Sequence, residues 1–177
     1  MPLSNPKQIS AITDQICRMS PTSVLDLGCG CGTFGFMTRV FWDLDLTKPW
    51  EQSSRHTKIV AVEGFEGYIT AIHQAIYDEI YVENVLDFLE RIQDTGTRYD
   101  LVLLLDILEH FMKEEGQRVL QLIDNISKHR IVSTPVNFYA QGAVMGNELE
   151  RHLSLWKPNE IGGKEIYRDG ITFVCAK

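Results

Sequence analysis

Several residues in this chain have the types and spacing to do chemistry, and each stands just after a short apolar run. The richest group is Asp26-Leu27-Gly28-Cys29-Gly30-Cys31-Gly32-Thr33-Phe34-Gly35, with four glycines in eight residues. Glycines this dense let a loop turn tightly and bring backbone N–H groups and a following helix N-terminus close to a ligand. The acid two residues before the first glycine can bind those loop amides or a ligand ammonium group. A plain strand-to-helix turn would need fewer glycines. Glu63 follows Ile59-Val60-Ala61-Val62 and is placed either to accept both hydroxyls of a ribose or to favour the N-terminus of the next helix. Asn84 offers its amide to an adenine edge or an N-cap to the helix behind it. Asp106 ends the run Asp100-Leu101-Val102-Leu103-Leu104-Leu105, where it either faces a cleft or caps the next helix.

The elements that must hold these residues read as alternating strands and helices. Gln8 to Arg18 puts Ile9, Ile12 and Ile16 on one helical face, and Ser20-Pro21 stops it. Strands follow at Ser23–Leu27, Ile59–Val62, Ile80–Val82, Asp100–Leu105 and Ile131–Ser133. Between them lie helical patterns at Gly35–Phe41, Gly67–Tyr77 (through Ile69, Ile72 and Ile76), Val85–Ile92 and Lys113–Ser127. Asp43 to Thr57, with Pro49 and Trp50, carries no regular period and reads as an irregular excursion. Glu165–Tyr167 and Ile171–Ala176 flank Arg168-Asp169-Gly170, a hairpin signal. The expectation is an α/β domain of five parallel strands ending in an antiparallel pair. Ligands of such sheets bind beyond the carboxyl ends of the strands, where all the residues above stand.

A chain of 177 residues holds about one domain, expected over 1–177 with residues 1–20 as a helical extension within it. With 44% hydrophobic and 23% charged residues the chain is globular, not disordered. Seventeen Lys and Arg against 24 Asp and Glu leave a net charge of -7, which argues against a polymeric nucleic-acid partner. No stretch approaches the roughly 20 apolar residues of a membrane span, and the first residues lack a signal-peptide pattern, so a cytoplasmic protein with no membrane partner is expected. Cys17, Cys29, Cys31 and Cys175 are too irregularly placed for a disulfide framework, and the Cys29-x-Cys31 pair has no partner pair at finger-like spacing. Free thiols and no metal site are expected. Spacing leaves the oligomeric state open.

Residues 30 to 35 also satisfy the G-x-G-x-x-G pattern of nicotinamide-dinucleotide proteins, but a pyrophosphate there would sit beside the Asp26 carboxylate. From about Pro21 onward the chain resembles the class I, seven-stranded S-adenosylmethionine-dependent methyltransferases. Val24-Leu25-Asp26-Leu27-Gly28-Cys29-Gly30-Cys31-Gly32 is similar to their first motif, Val60-Ala61-Val62-Glu63 to their second, and Tyr99 through His110 to their fourth. The resemblance implies a three-layer, mostly parallel sheet of order 3-2-1-4-5-7-6 with an antiparallel strand at the C-terminus. It implies S-adenosyl-L-methionine as cofactor, with Asp26, Gly28, Cys29, Gly30 and Gly32 around the methionine part and Glu63 and Gly64 at the ribose. Asn84 and Val85 would lie at the adenine, with Asp87 as the alternative to Asn84, and Asp106 would complete the cofactor set. Competing readings are a non-catalytic S-adenosylmethionine-binding or scaffold protein and an NAD-dependent oxidoreductase.

In-line methyl transfer requires an aligned acceptor and, where that acceptor is protonated, a base. Acceptor residues are expected after the fourth and fifth strands: Glu109 and His110, then the polar series Asn147-Glu148-Leu149-Glu150-Arg151-His152-Leu153-Ser154-Leu155-Trp156. His110 or His152 is the expected general base, because imidazole titrates near neutral pH. Glu109, Asn147, Glu150 and Trp156 are the expected substrate contacts. The same residues carry plainer readings. Leu149, Leu153 and Trp156 sit at i, i+4 and i+7 as the apolar stripe of a short helix would, with His152 on its solvated face, and His110 could simply open a helix. Trp156 and Tyr139 either stack on an acceptor or pack. The resemblance sets aside DNA amino groups, since Asp106-Ile107-Leu108-Glu109 replaces the Pro-Pro-aromatic motif, and cytosine carbon, since no cysteine stands there. A small polar molecule, a glycan unit and a protein side chain remain as acceptors.

Overall fold

The computed structural model describes residues 4–44 and 55–177. Two of its most apolar strands lie at the middle of the sheet. β1 (Ser23–Leu27) and β4 (Tyr99–Leu105) run parallel, pairing Val24 with Leu101 and Leu27 with Leu104. Alternate side chains enter two separate cores: Leu25, Leu27, Val102 and Leu104 on one face, Val24, Leu101, Leu103 and Leu105 on the other. Helices must therefore cover both faces.

β2 (Lys58–Glu63) and β3 (Glu79–Val82) extend the sheet on one side; β5 (Ser127–Pro135), β6 (Lys164–Arg168) and β7 (Thr172–Ala176) extend it on the other. The seven strands take the order β3-β2-β1-β4-β5-β7-β6, with β7 antiparallel to both its neighbours and the remaining pairs parallel. This is the order that the resemblance implies. α1 (Ile9–Met19), α2 (Thr33–Phe41) and α3 (Ala71–Ile76) cover one face through Ile12, Ile16, Phe34 and Ile76. α4 (Val85–Ile92), α5 (Lys113–Ile126) and the short α6 (Pro158–Ile161) cover the other through Phe88, Leu89, Val119, Ile123 and Ile161. The result is a three-layer sandwich.

Three expectations change. The Gly67–Tyr77 helix splits into a 3-10 turn at Glu66–Tyr68 and α3, because Thr70 and His73 form a capping box that starts the helix late. His73 is thereby buried, while Ile72 is 62% exposed. β5 begins at Ser127, with no loop after α5, because backbone pairing to β4 (Tyr99 with Ser127, Leu101 with His129) needs no apolar side chains. No helix forms over 149–156. Only Glu148–Glu150 makes a 3-10 turn, with Leu149 and Leu153 each 46% exposed and Trp156 1% exposed. The irregular excursion expected over Asp43–Thr57 lies mostly outside the described residues.

Its two ends are tied by Arg39, a buried guanidinium on α2. Its donors reach Ile76 O (2.7 Å), Thr57 O (2.6 Å), Asp43 Oδ2 (2.5 Å) and Asp78 Oδ2 (2.6 Å). Asp78 Oδ2 in turn accepts from Ile59 N (2.7 Å), and Asp43 Oδ1 from Thr57 N (2.7 Å). One cation thus joins α2, the start of β2 and the end of α3. Arg39→Ala strands a buried carboxylate and two carbonyls, and is expected to cost about 3–5 kcal/mol in a urea unfolding titration. A loss under about 1 kcal/mol would mean that the charges find other partners.

Candidate active site

β1 ends at the glycine loop, where Gly28, Gly30 and Gly32 have φ of 69°, 53° and 80°. At Gly28 a Cβ would lie 2.2 Å from Ile107 Cδ1, so a side chain there would have to displace Ile107 and also adopt a left-handed backbone that favours glycine. The loop amides are already engaged. Gly28 N and Cys29 N donate to Val62 O (2.8 and 3.2 Å), Gly30 N to Glu63 Oε2 (2.9 Å) and Gly32 N to Cys29 O (2.8 Å). These four therefore do not form the open amide cradle that a pyrophosphate uses. Gly32 caps α2 and faces His73 and Ile76, not the cleft, which corrects its expected place at the ligand.

Glu63 takes the Gly30 amide in mid-loop, while the Gly35 amide at the far end of the segment acts on Asp26. The second Glu63 oxygen, Oε1, accepts from Phe65 N (2.9 Å), and burial raises its carboxyl above the usual range. Each oxygen retains a lone pair for a ligand hydroxyl. Asp26 lies deeper, 4% exposed, and takes the Tyr77 hydroxyl at 2.6 Å. Burial pushes its carboxyl up to about 6 against the pull of Tyr77, and the nearby Glu63 charge adds to the rise. His73 closes the underside. Thr70 N donates to its Nδ1 (3.1 Å), so Nε2 carries the proton and donates to Gly30 O (2.9 Å). Tyr77 and His73 are functional neighbours that the strand-end pattern could not single out, because both come from α3 and its end.

A cleft open to solvent lies at the carboxyl ends of β1, β2 and β4, where ligands of such sheets bind. Asp26, Gly28, Cys29, Gly30, Glu63, Gly64, Asn84, Val85 and Asp106 all line it, as do Asn147 and Glu150. At Gly64 a Cβ would meet Leu149 Cδ1 at 2.5 Å, so the segment after β5 closes tightly over β2. Asn84 is also the N-cap of α4, its Oδ1 accepting from Leu86 N (2.9 Å), which leaves its amide hydrogens for a ligand. Asp87 is exposed on the first turn of α4 and does not line the cleft. Four carboxylates, Asp26, Glu63, Asp106 and Glu150, border this space, and no Lys or Arg does among the described residues.

Beyond β4 the chain makes a strained turn. Asp106 has φ 56°, a conformation that non-glycine residues rarely adopt. Its carboxylate is fastened by Gln8 Nε2 (2.7 Å) and Ser133 Oγ (2.8 Å), which joins the N-terminal segment and β5 to this corner. Glu109 and His110 follow on the 3-10 turn Leu108–His110. The extended segment carrying His152 is bound to that turn, with Leu153 N and Ser154 N both donating to Glu109 O (2.8 and 3.1 Å). Asp106, His110 and Glu150 form the wall between the first cleft and a second cavity that Glu109, Tyr139, Gln141 and His152 also line. Glu150 is held by Tyr68 OH (2.9 Å). Trp156 is corrected: it lines neither cavity, and its indole N–H donates to Ser154 Oγ (2.7 Å) and Leu108 O (3.1 Å) inside the core. Burial and the neighbouring Asp106 charge raise Glu109 well above the usual carboxyl range, and burial beside His110 lowers His152.

No family model matches the chain, and no curated protein matches it. Solved structures share its fold. The N-terminal domain of EvdMO1, solved with SAH bound, is 17% identical over 98% of this chain and 80% of its own, with a TM-score of 0.62. An O-methyltransferase family protein from Burkholderia thailandensis is 16% identical over 93% of this chain and 54% of its own, at 0.61. Magnesium protoporphyrin IX methyltransferase from Synechocystis PCC 6803, with SAM bound, is 14% identical over 96% and 77%, at 0.58. The chain spans about half the length of the SAM-dependent methyltransferases from Archaeoglobus fulgidus (52%) and Agrobacterium tumefaciens (47%) that it also matches. The fold is that of the class I, Rossmann-like methyltransferases, with the sheet order and the antiparallel β7 that this class has.

Tyr77→Phe removes a hydrogen bond that favours ionised Asp26. Wild-type Asp26, raised in the folded state to about 6, contributes stability at low pH that is lost as pH rises through that value. The variant is expected to lose about 1–3 kcal/mol more at about pH 8 than at about pH 5 in urea unfolding. Equal losses at both pH values would place the Tyr77 hydroxyl outside the Asp26 titration.

Proposed function

We propose that this chain, as one domain over 1–177, binds S-adenosylmethionine in the first cleft and moves its methyl group to an acceptor held in the second. The observation that carries this reading is the charge of the cleft: Asp26 and Glu63 stand beside a loop whose amides are engaged, and among the described residues no Lys or Arg lines the space. Such a site favours a ligand with sulfonium and ammonium charges and disfavours a pyrophosphate. The fold relatives with SAM or SAH bound support the same cofactor. Asp26 is the counter-charge to the ligand ammonium, the Gly28–Gly30 backbone packs against the methionine part, Glu63 accepts from the ribose hydroxyls, and Asn84 and Val85 border the adenine.

When bound, S-adenosylmethionine supplies an electrophilic methyl carbon on a positive sulfur. The protein's work is alignment and proton removal. Asp106 and His110 stand on the wall shared by both cavities, so an acceptor in the second cavity approaches the first across them. His110 Nδ1 donates to Arg151 O (3.0 Å) and His152 Nδ1 to Tyr139 O (3.1 Å), because a carbonyl can only accept. Each imidazole thereby keeps an Nε2 lone pair, the atom that takes the acceptor's proton. The size and polarity of the second cavity suit a small polar molecule, a glycan unit or a protein side chain. Four unpaired cysteines support a reducing, cytoplasmic setting, and among the described residues no helix is long and apolar enough to cross a membrane.

S-adenosylhomocysteine is expected to bind with a micromolar Kd, about -8 kcal/mol, by calorimetry, and NAD is expected not to bind. Because the ammonium pairs with ionised Asp26, whose carboxyl titrates at about 6, affinity should rise with pH through that value and level off above it. Asp26→Asn should weaken binding and flatten the slope. A slope unchanged in Asp26→Asn would remove Asp26 from the ammonium site, and absence of binding at about millimolar ligand would overturn the cofactor reading.

A further inference from the structure

One cluster at the site exceeds what alignment and a base require. Glu109, His110 and His152 present a carboxylate oxygen and two imidazole nitrogens that all lie within 4.8 Å of one another. The two histidines are oriented from behind, their Nδ1 atoms committed to backbone carbonyls at 3.0 and 3.1 Å, the arrangement by which metal-binding imidazoles are usually aimed. Their rings sit 5.1 Å apart between centroids. Glu109 is 3% exposed, and its buried Oε2 has no hydrogen-bond partner. A buried acceptor with nothing to accept from is costly unless a ligand completes it.

We infer that Glu109, His110 and His152 bind a first-row divalent cation, such as Zn²⁺, Co²⁺ or Mn²⁺, whose open positions take the oxygen of a hydroxyl-bearing methyl acceptor. Two imidazoles and one carboxylate suit these ions better than Mg²⁺ or Ca²⁺, which prefer oxygen throughout. Ligand bonds of about 2.0–2.2 Å place donor atoms roughly 3.3 Å apart, so donor atoms that now lie within 4.8 Å of one another close by up to about 1.5 Å on loading. Small side-chain rotations supply this. The chain is held at the right register already, since the two amides on Glu109 O lock the His152 segment onto the Glu109–His110 turn.

The inference rests on the methyl-transfer reading and deepens it. A hydroxyl on the cation becomes more acidic and releases its proton to solvent. The metal-bound oxygen then donates an electron pair to the methyl carbon; the O–C bond forms as the C–S bond breaks, its pair returns to sulfur, and a methyl ether and a neutral thioether result. In the loaded site the imidazole lone pairs are on the cation, so solvent takes the proton in place of Nε2, and the cation serves by making the hydroxyl more acidic.

The test uses the full chain, stripped with a chelator and titrated separately with Zn²⁺, Co²⁺ and Mn²⁺, with S-adenosylhomocysteine affinity measured on the same samples. One equivalent of Co²⁺ is expected to bind with the visible spectrum of nitrogen and oxygen ligation. His110→Ala, His152→Ala and Glu109→Gln should each weaken binding by at least about tenfold, while S-adenosylhomocysteine affinity stays within about threefold in His152→Ala and Glu109→Gln, whose side chains do not line the first cleft. His110 is partly exposed, so His110→Ala carries the test if the buried variants fail to fold. Exposed His129→Ala should leave metal binding unchanged. No binding of any of the three ions at about millimolar concentration would overturn the site. So would a thiolate spectrum abolished by Cys31→Ser, or binding indifferent to His110→Ala. Loss of S-adenosylhomocysteine binding in the wild type would overturn the cofactor reading and leave the metal titration to stand by itself.

Discussion

Glu63 is the side chain on which the cleft depends. Its two oxygens take the amide protons of Gly30 and Phe65, so one carboxylate ties the loop after β1 to the turn after β2. The cause lies in the sheet. β1, β2 and β4 are packed on both faces, and an ionisable side chain in mid-strand would meet apolar neighbours wherever it pointed. Polar groups therefore gather where the strands stop, and there they must find donors among other chain ends. Asp26 is the exception, one position from the end of β1, and Tyr77 supplies its donor.

That same crowding sets the electrostatics. With the amides of Gly28, Cys29, Gly30 and Gly32 turned to protein acceptors, the loop offers a ligand little positive potential. Asp26 and Glu63 are both held above their usual carboxyl range by burial, and a neighbouring carboxylate adds to each rise, Glu63 for Asp26 and Glu150 for Glu63. A cationic ligand relieves that repulsion directly. The cleft is complementary to positive charge because the protein itself leaves the acids without a cation.

On the other side of β4, strain and clamping do the positioning. Asp106 has a left-handed conformation and is clamped by Gln8 and Ser133, and Glu109 and His110 follow on the 3-10 turn just beyond it. The His152 segment is then fastened to Glu109 by two backbone hydrogen bonds, while Trp156 anchors its far end in the core. Residues some forty positions apart in sequence become neighbours through these contacts.

By itself the sequence determined the doubly buried strands, their alternation with helices, and the polar residues at the strand ends, because burial period and chain punctuation are local properties. Asp26, Gly28, Glu63, Asn84 and Asp106 were legible for that reason. Local pattern misled where a different local interaction prevailed, as when the Thr70–His73 capping box shortened α3 and buried a histidine. It also misled where an apparent stripe, Leu149, Leu153 and Trp156, belonged to an extended segment. Only the tertiary structure decided that Glu63 takes the loop amide, that Tyr77 holds Asp26, that Trp156 is core, and that Glu109, His110 and His152 meet. Each of these depends on which elements pack together, and hydrogen-bond donors and acceptors are matched across space, with no trace in the spacing along the chain.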